Sequence, residues 1–240
     1  MGYYGYHKYV TASEKREQAK KSLNKLKKTI TDISPVIIEG KSIASKWWGK
    51  AWNKNLESYA DYSNRIERGR SYVKNGAVLD LKIYEGKVEA LVHGSSSKPY
   101  IVEINIDKLN KTKWKMLLET CNRKIDTMEN LLLGKFPKEF HEFFSDLKGG
   151  LFPSPKEIHF NCNCPDSARM CKHIAAVLYG IGARLDEEPI LFFKLRDIDF
   201  QELLKKSMEE KMESMLKNAD KEKDSERILD ESHVFDLFGL

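Results

Sequence analysis

The chain has 240 residues, of which 41% are hydrophobic, with 41 Lys+Arg against 36 Asp+Glu and a formal net charge of +5. That is enough apolar material for one large domain or two small ones, and no run of about 18 apolar residues marks a membrane span. The N-terminal MGYYGYHKYV lacks the apolar region of a secretory signal, and four cysteines, three of them clustered, fit a reducing, cytoplasmic interior.

The positive charge lies toward the front. Residues 1–80 hold 16 Lys+Arg against 8 Asp+Glu, a net +8, whereas residues 201–240 hold 7 against 11, a net −4. A basic front half suits a polyanion, and a merely solvated surface is the competing explanation.

Tyr3, Tyr4, Tyr6 and Tyr9 crowd the first ten residues beside His7 and Lys8. They form either an arm docked on its own domain or a stacking platform for unpaired bases. Residues 13–28 read as a basic, mostly polar helix with Ser13 as N-cap and a thin apolar face, hence exposed. Residues 45–59 form a helix whose Trp48, Trp52 and Leu56 fall on one core face. RIERGRSYVKNG, residues 65–76, sets Arg65, Arg68, Arg70 and Lys74 around Gly69 and Tyr72. Arginine forks suit phosphate and a glycine lets the backbone approach a ligand; a loop of solvated charges is the alternative.

Alternating apolar residues then mark three strands in an antiparallel meander: Leu79, Leu81 and Ile83; Val88, Ala90 and Val92 after a Glu85-Gly86 turn; and Tyr100, Val102, Ile104 and Ile106. Lys98, in the loop before the third strand, can join the basic surface. Residues 108–148 read as helical, with stripes at Trp114, Leu117, Leu118 and Cys121, at Met128, Leu131 and Leu132, and at Phe140, Phe143 and Phe144. Cys121 is a packed free thiol. His141 and His159 are surface or core histidines.

The most informative stretch follows. Cys162, Cys164, Cys171 and His173 sit as C-x-C-x6-C-x-H. In a strand every second side chain shares a face, so Cys162 and Cys164 present both thiols to one side, with Ile158 and Phe160 behind them. Pro165-Asp166-Ser167 turns the chain. Cys171 belongs just before the next helix and His173 in its first turn, because residues i and i+2 point apart within a helix. Ile174, Val177, Leu178 and Ile181 give that helix its apolar face, and Gly180 and Gly182 permit close backbone contact. Three thiolates and an imidazole are a standard set for one structural Zn2+, a closed site with no position for substrate. The helix N-terminus, Arg169 and Lys172 offset its negative charge. A disulfide would need an oxidising compartment and leave one thiol over. A Cys171/His173 nucleophile pair would leave Cys162 and Cys164 unexplained.

Beyond Pro189, ILFFKLR and FQELLKKSMEEKMESMLK read as two helices. Residues 217–227 have the composition of a linker. The tail ILDESHVFDLFGL, residues 228–240, is apolar enough to dock in a groove, a partner's or the protein's own.

CNCPDSARMCKHIAAVLYGIG resembles the SWIM zinc finger. With YYGYHKYVTASEKREQAKK, WWGKAWNKNLE, RIERGRSYVKNGAVLDLKI, VHGSSSKPYIVEI and LFPSPKEIHFNCNCPD, the resemblance to bacterial SWIM-finger proteins extends over about residues 3–205. Such proteins are often encoded beside helicase-like ATPases. The resemblance implies zinc binding, suggests DNA or protein partners, and does not imply an enzyme. The expected fold is α+β: an N-terminal three-stranded antiparallel meander with helices, a helical region, and a SWIM-type finger of β-hairpin plus helix. The expected units are a basic arm and helix (1–40), a sheet with its Trp-rich helix (41–107), a helical region (108–150), the finger (151–187), C-terminal helices (188–216), and linker plus tail (217–240). The expected function is non-catalytic, low-specificity binding of nucleic acid, DNA foremost, through Arg65, Arg68, Arg70, Lys74, Lys98, Arg169 and Lys172. The alternative is an adaptor for a helicase-like ATPase that does not itself touch nucleic acid. Neither a membrane nor a small-molecule substrate is expected.

Overall fold

The computed structural model describes residues 10–58, 63–124, 144, 146 and 150–222. The tyrosine-rich arm up to Tyr9, the stripe of Met128, Leu131 and Leu132, the aromatic residues Phe140 and Phe143, His141 and the tail 228–240 lie outside these residues.

Helix α1 (Ala12–Leu26) is capped two residues earlier than its composition suggested, because Thr11 and not Ser13 is the N-cap. The Thr11 hydroxyl accepts the Glu14 N–H, and the Glu14 carboxylate accepts the Thr11 N–H, a reciprocal capping box. Ala19 is the buried residue of α1, in keeping with its thin apolar face. Helix α2 (Trp47–Glu57) buries Trp48, Trp52 and Leu56 as the i, i+4, i+8 spacing requires. Helix α3 (Ser63–Lys74) is the segment that the sequence left as a basic stretch around Gly69.

Strands β1 (Val78–Tyr84), β2 (Lys87–Val92) and β3 (Tyr100–Ile106) form the expected meander. Gly86 takes the left-handed turn between β1 and β2 at φ 64°. Helix α4 (Lys111–Lys124) follows. A single 3-10 turn at Pro155–Glu157 then leads into β4 (Ile158–Cys162). The sheet order is β1-β2-β3-β4, antiparallel throughout. The cysteine-bearing strand therefore adds to the edge of the meander. Among the described residues its partner is β3, where the sequence led us to expect a finger with a hairpin of its own.

Helix α5 (Lys172–Glu187) is the spine of the molecule, with thirteen of its sixteen residues buried. It packs against α2, α3 and the sheet. A β-carbon on Gly69 of α3 would meet Ala175 and Ala176 of α5 at 2.5–2.8 Å, so glycine sets how closely these helices approach. Gly182 does the same against Trp52 and Asn53 of α2, as the glycines of this helix led us to expect. Asp186 fastens the far end of α5. Its buried carboxylate accepts the N–H groups of Ser45, Lys46 and Gly49, capping an α2 that has no side-chain cap of its own.

Helices α6 (Leu191–Leu195) and α7 (Phe200–Glu222) complete the fold. The stretch from 217 to 222, read as linker from its charge, is the last part of α7. Arg196, fully buried, donates to the Glu157 carboxylate at 2.6 Å and to the Asp107 carbonyl at 2.9 Å, joining α6 to the start of β4 and the end of β3.

Candidate metal centre

Backbone periodicity assembles the cluster. Val102, Ile104 and Ile106 of β3 lie opposite Cys162, Phe160 and Ile158 of β4. Asn163 prolongs the pairing past the end of the strand: its N–H donates to the Ile101 carbonyl, and its side-chain oxygen accepts the Ile101 N–H. Cys162 and Cys164 thus keep to one face. The Asp166 side chain accepts the Ala168 N–H, which bends the chain back toward α5. Cys171 is the N-cap residue of α5, with extended dihedrals of −82° and 170°, and its carbonyl accepts the first helical N–H, from Ala175. His173 falls in the first turn, as the spacing required.

The four donor atoms lie within 4.8 Å of one another. His173 Nδ1 is 3.9 Å from Cys162 Sγ and 3.8 Å from Cys171 Sγ. A tetrahedron with metal–sulfur bonds of about 2.3 Å and a metal–nitrogen bond of about 2.0–2.1 Å has S–N edges of about 3.6 Å. The observed spacings are those of a ligand cage, and none of Cys162, Cys164 and Cys171 is in a disulfide. Cys171 is 1% exposed and His173 3%.

The electrostatics point the same way. The Cys162 thiol donates to Cys171 and, against the opposing effect of burial, brings the Cys171 thiol down to about 4, helped by His173 and the Ile174 N–H. The same shared proton drives Cys162 upward, and burial raises Cys164. One thiolate forms readily and opposes the next, so a cation is what lets all three ionise together. Four protein ligands would complete a tetrahedron around such a cation.

The surroundings of His173 had no signal in the sequence. The Tyr100 ring lies against the imidazole at a centroid distance of 4.4 Å, and Tyr72 meets it edge-on at 5.4 Å. Nε2 is buried and has no hydrogen-bond partner among the described residues. It faces Gly94, where a β-carbon would come within 2.9 Å. The tyrosines fix the ring orientation by packing, leaving Nδ1 as the ligand atom.

The basic residues divide into two groups. Arg65 pairs with Asp166 at 3.3 Å, joining α3 to the ligand loop. The Ala168 N–H and then Arg65 hold the Asp166 carboxyl below the usual range. The Lys172 ammonium lies 5.4 Å above the Tyr72 ring. Arg68, three residues after Arg65 and four before Tyr72, shares their side of α3. Arg68, Lys98 and Arg169 are exposed, and none has an ion-pair partner among the described residues. Arg70 points elsewhere. It pairs with Glu57 of α2 and donates to the Tyr179 hydroxyl at 3.3 Å. Lys74, one turn further along and half-buried, lies on Arg70's side. His159 is exposed and pairs with Asp107 at 3.0 Å, apart from the ligands.

The chain is 35% identical over 164 residues to uncharacterized protein Rv2102 of Mycobacterium tuberculosis (strain ATCC 25618 / H37Rv), an alignment covering 68% of this chain. The chain spans 59% of the length of that relative. No protein-family model and no solved structure matches. Among the described residues no helix is long and apolar enough to cross a membrane.

Proposed function

We propose that the chain is a SWIM-type module in which one structural Zn2+ fixes the β4–α5 junction, and that the module binds nucleic acid, DNA foremost, without catalysis. The observation that carries this reading is the company the ligand cluster keeps. Arg68, Lys98 and Arg169 are exposed and unpaired among the described residues, and they share their segments with the pieces that hold the cluster: α3, the loop before Tyr100, and the ligand loop. Lys172 adds a fourth cation at the mouth of α5. Contacts of this kind reach phosphates and read little sequence. Arg65 and Arg70, held in internal ion pairs, serve the scaffold, so the phosphate-binding role falls to the exposed residues.

The test combines metal analysis with gel shifts over a salt series. One zinc per chain is expected, together with an affinity that falls steeply as salt rises. The triple variant Arg68→Gln, Lys98→Gln, Arg169→Gln should bind more weakly and lose about 2–3 units of the log–log salt slope. A salt-independent interaction, or none at low salt, overturns the reading.

A second reading, an adaptor for a helicase-like ATPase, is favoured by one feature of α7. Met208, Met212, Met215 and Leu216 are 57–63% exposed along one side of the helix. Methionines in such a stripe adapt readily to a partner's surface. Met212→Glu should abolish capture of that ATPase with zinc content and melting temperature unchanged; unchanged capture removes this alternative.

A further inference from the structure

A cleft of about 190 Å3 opens where α1, α3 and the end of β2 meet. Tyr72, Asn75, His93 and Gly94 form its inner wall, and Lys15 and Gln18 of α1 its rim. It lies one layer from the metal centre. Tyr72 touches His173 and carries Lys172 over its ring, while Gly94 faces His173 Nε2.

The lining has a definite chemistry. It contains no carboxylate. Lys15 supplies a positive charge at the rim. His93 is tied through Nδ1 to the Ser22 hydroxyl at 2.9 Å, leaving Nε2 as its remaining hydrogen-bonding atom. Lys15 and Gln18 have no side-chain partner among the described residues. Tyr72 brings an aromatic ring. Asn75 is already occupied, accepting from Arg16 and donating to Ser71, so it stiffens the wall. The volume is several times the roughly 30 Å3 share of a water molecule and below the roughly 300 Å3 at which drug-sized sites begin. It suits one planar, hydrogen-bonding ring system.

We propose that this cleft receives a single unstacked nucleobase from a strand whose phosphates run along the cations beside the metal centre, so that the protein prefers single-stranded nucleic acid to duplex. The inference rests on the nucleic-acid reading above and adds a site to it. A base against an aromatic ring binds with little regard to sequence. A duplex can fill the cleft only by unpairing and turning out a base, which opposes binding.

The experiment uses the full-length, zinc-loaded chain and fluorescence anisotropy with three probes of equal length: an oligothymidine, a duplex, and a strand of abasic sites. The parent should bind the oligothymidine about tenfold more tightly than the abasic strand. Gln18→Leu removes the amide at the rim, and Ser95→Leu, at a lining residue whose hydroxyl lies 3.3 Å from the Tyr100 hydroxyl, narrows the opening. Both positions are exposed, and neither change adds a ring or a charge. Each should cut oligothymidine affinity several-fold toward the abasic value, with zinc content, duplex affinity and salt slope unchanged. A parent that binds abasic and base-bearing strands equally, or variants that keep the full preference, overturns the cleft while leaving the salt-dependent reading intact. A parent that binds none of the probes at low salt overturns both.

Discussion

Gly69 offers a sharp test, because sequence and structure give it different work. Around it the sequence suggested a backbone approaching phosphate; the structure places it against α5. In Gly69→Ala the new methyl would lie 2.5 Å from the Ala175 β-carbon, 2.7 Å from the Ala175 carbonyl carbon and 2.8 Å from the Ala176 nitrogen. Ordinary carbon contacts are about 3.5–4.0 Å, so α3 must retreat by roughly 1 Å. Ala175 and Ala176 are fully buried, and two of the three clashing atoms are backbone, so no side chain can swing aside. Overpacking of this kind costs about 1–3 kcal/mol, here toward about 3. Alanine recovers about 1 kcal/mol through helix propensity. The net is about 2 kcal/mol of destabilisation, or about 4–8 °C in Tm for a chain of this size. Calorimetry on the metal-loaded protein measures it, with Glu67→Ala on the exposed side of the same helix as a control within about 0.5 kcal/mol. If Gly69→Ala melts at or above the parent temperature, α3 does not sit on α5 at this distance and the glycine is free for another role.

Three further outcomes are expected. Stripping the metal with a chelator, or His173→Ala, should lower Tm by tens of degrees or abolish the transition, since a Cys3His site contributes about 10 kcal/mol or more of apparent folding free energy against a total of about 5–15; an unchanged melt in protein shown to be metal-free removes the structural role. Asp186→Ala leaves three backbone N–H groups at and just before the start of α2 without their acceptor and should cost about 3 kcal/mol or more, with faster amide exchange at residues 45–49; unchanged exchange there refutes the cap. Burial pushes the Glu157 carboxyl up, but the Ser154 N–H and Arg196 outweigh it and hold it below the ordinary range. Its contribution is therefore complete above the unfolded carboxyl value of about 4.3 and is lost as pH falls through the folded value. Urea midpoints measured from neutral pH down to that range should fall more steeply for the parent than for Glu157→Gln. That variant strands the buried Arg196 charge and should be weaker by about 3–5 kcal/mol at neutral pH. Parallel curves would dismiss the pair.

What could be read from the sequence was what depends on near neighbours. The strand period puts Cys162 and Cys164 on one face, the spacing of Cys171 and His173 straddles a helix start, and the alternation of β1 to β3 together with the tryptophan spacing of α2 marks those elements. These are geometric properties of a few consecutive residues, and donor type alone then selects a cation site. Local charge and glycine content misled where packing overrides them. Gly69 disguised α3, the charges of residues 217–222 disguised the last part of α7, and Ser13 competed with Thr11 for a cap that Glu14 decides. Only the tertiary structure settled that β4 completes the meander's sheet at β3, that Asp186 caps a helix 137 positions away in the chain, and that Tyr72 and Tyr100 close around the imidazole. It alone paired Arg70 with Glu57 while leaving Arg68 without an ion-pair partner among the described residues. Each of these is a pairing between distant segments, and their choice of partner is fixed by which surfaces the whole fold buries together, a quantity that no window of neighbouring residues contains.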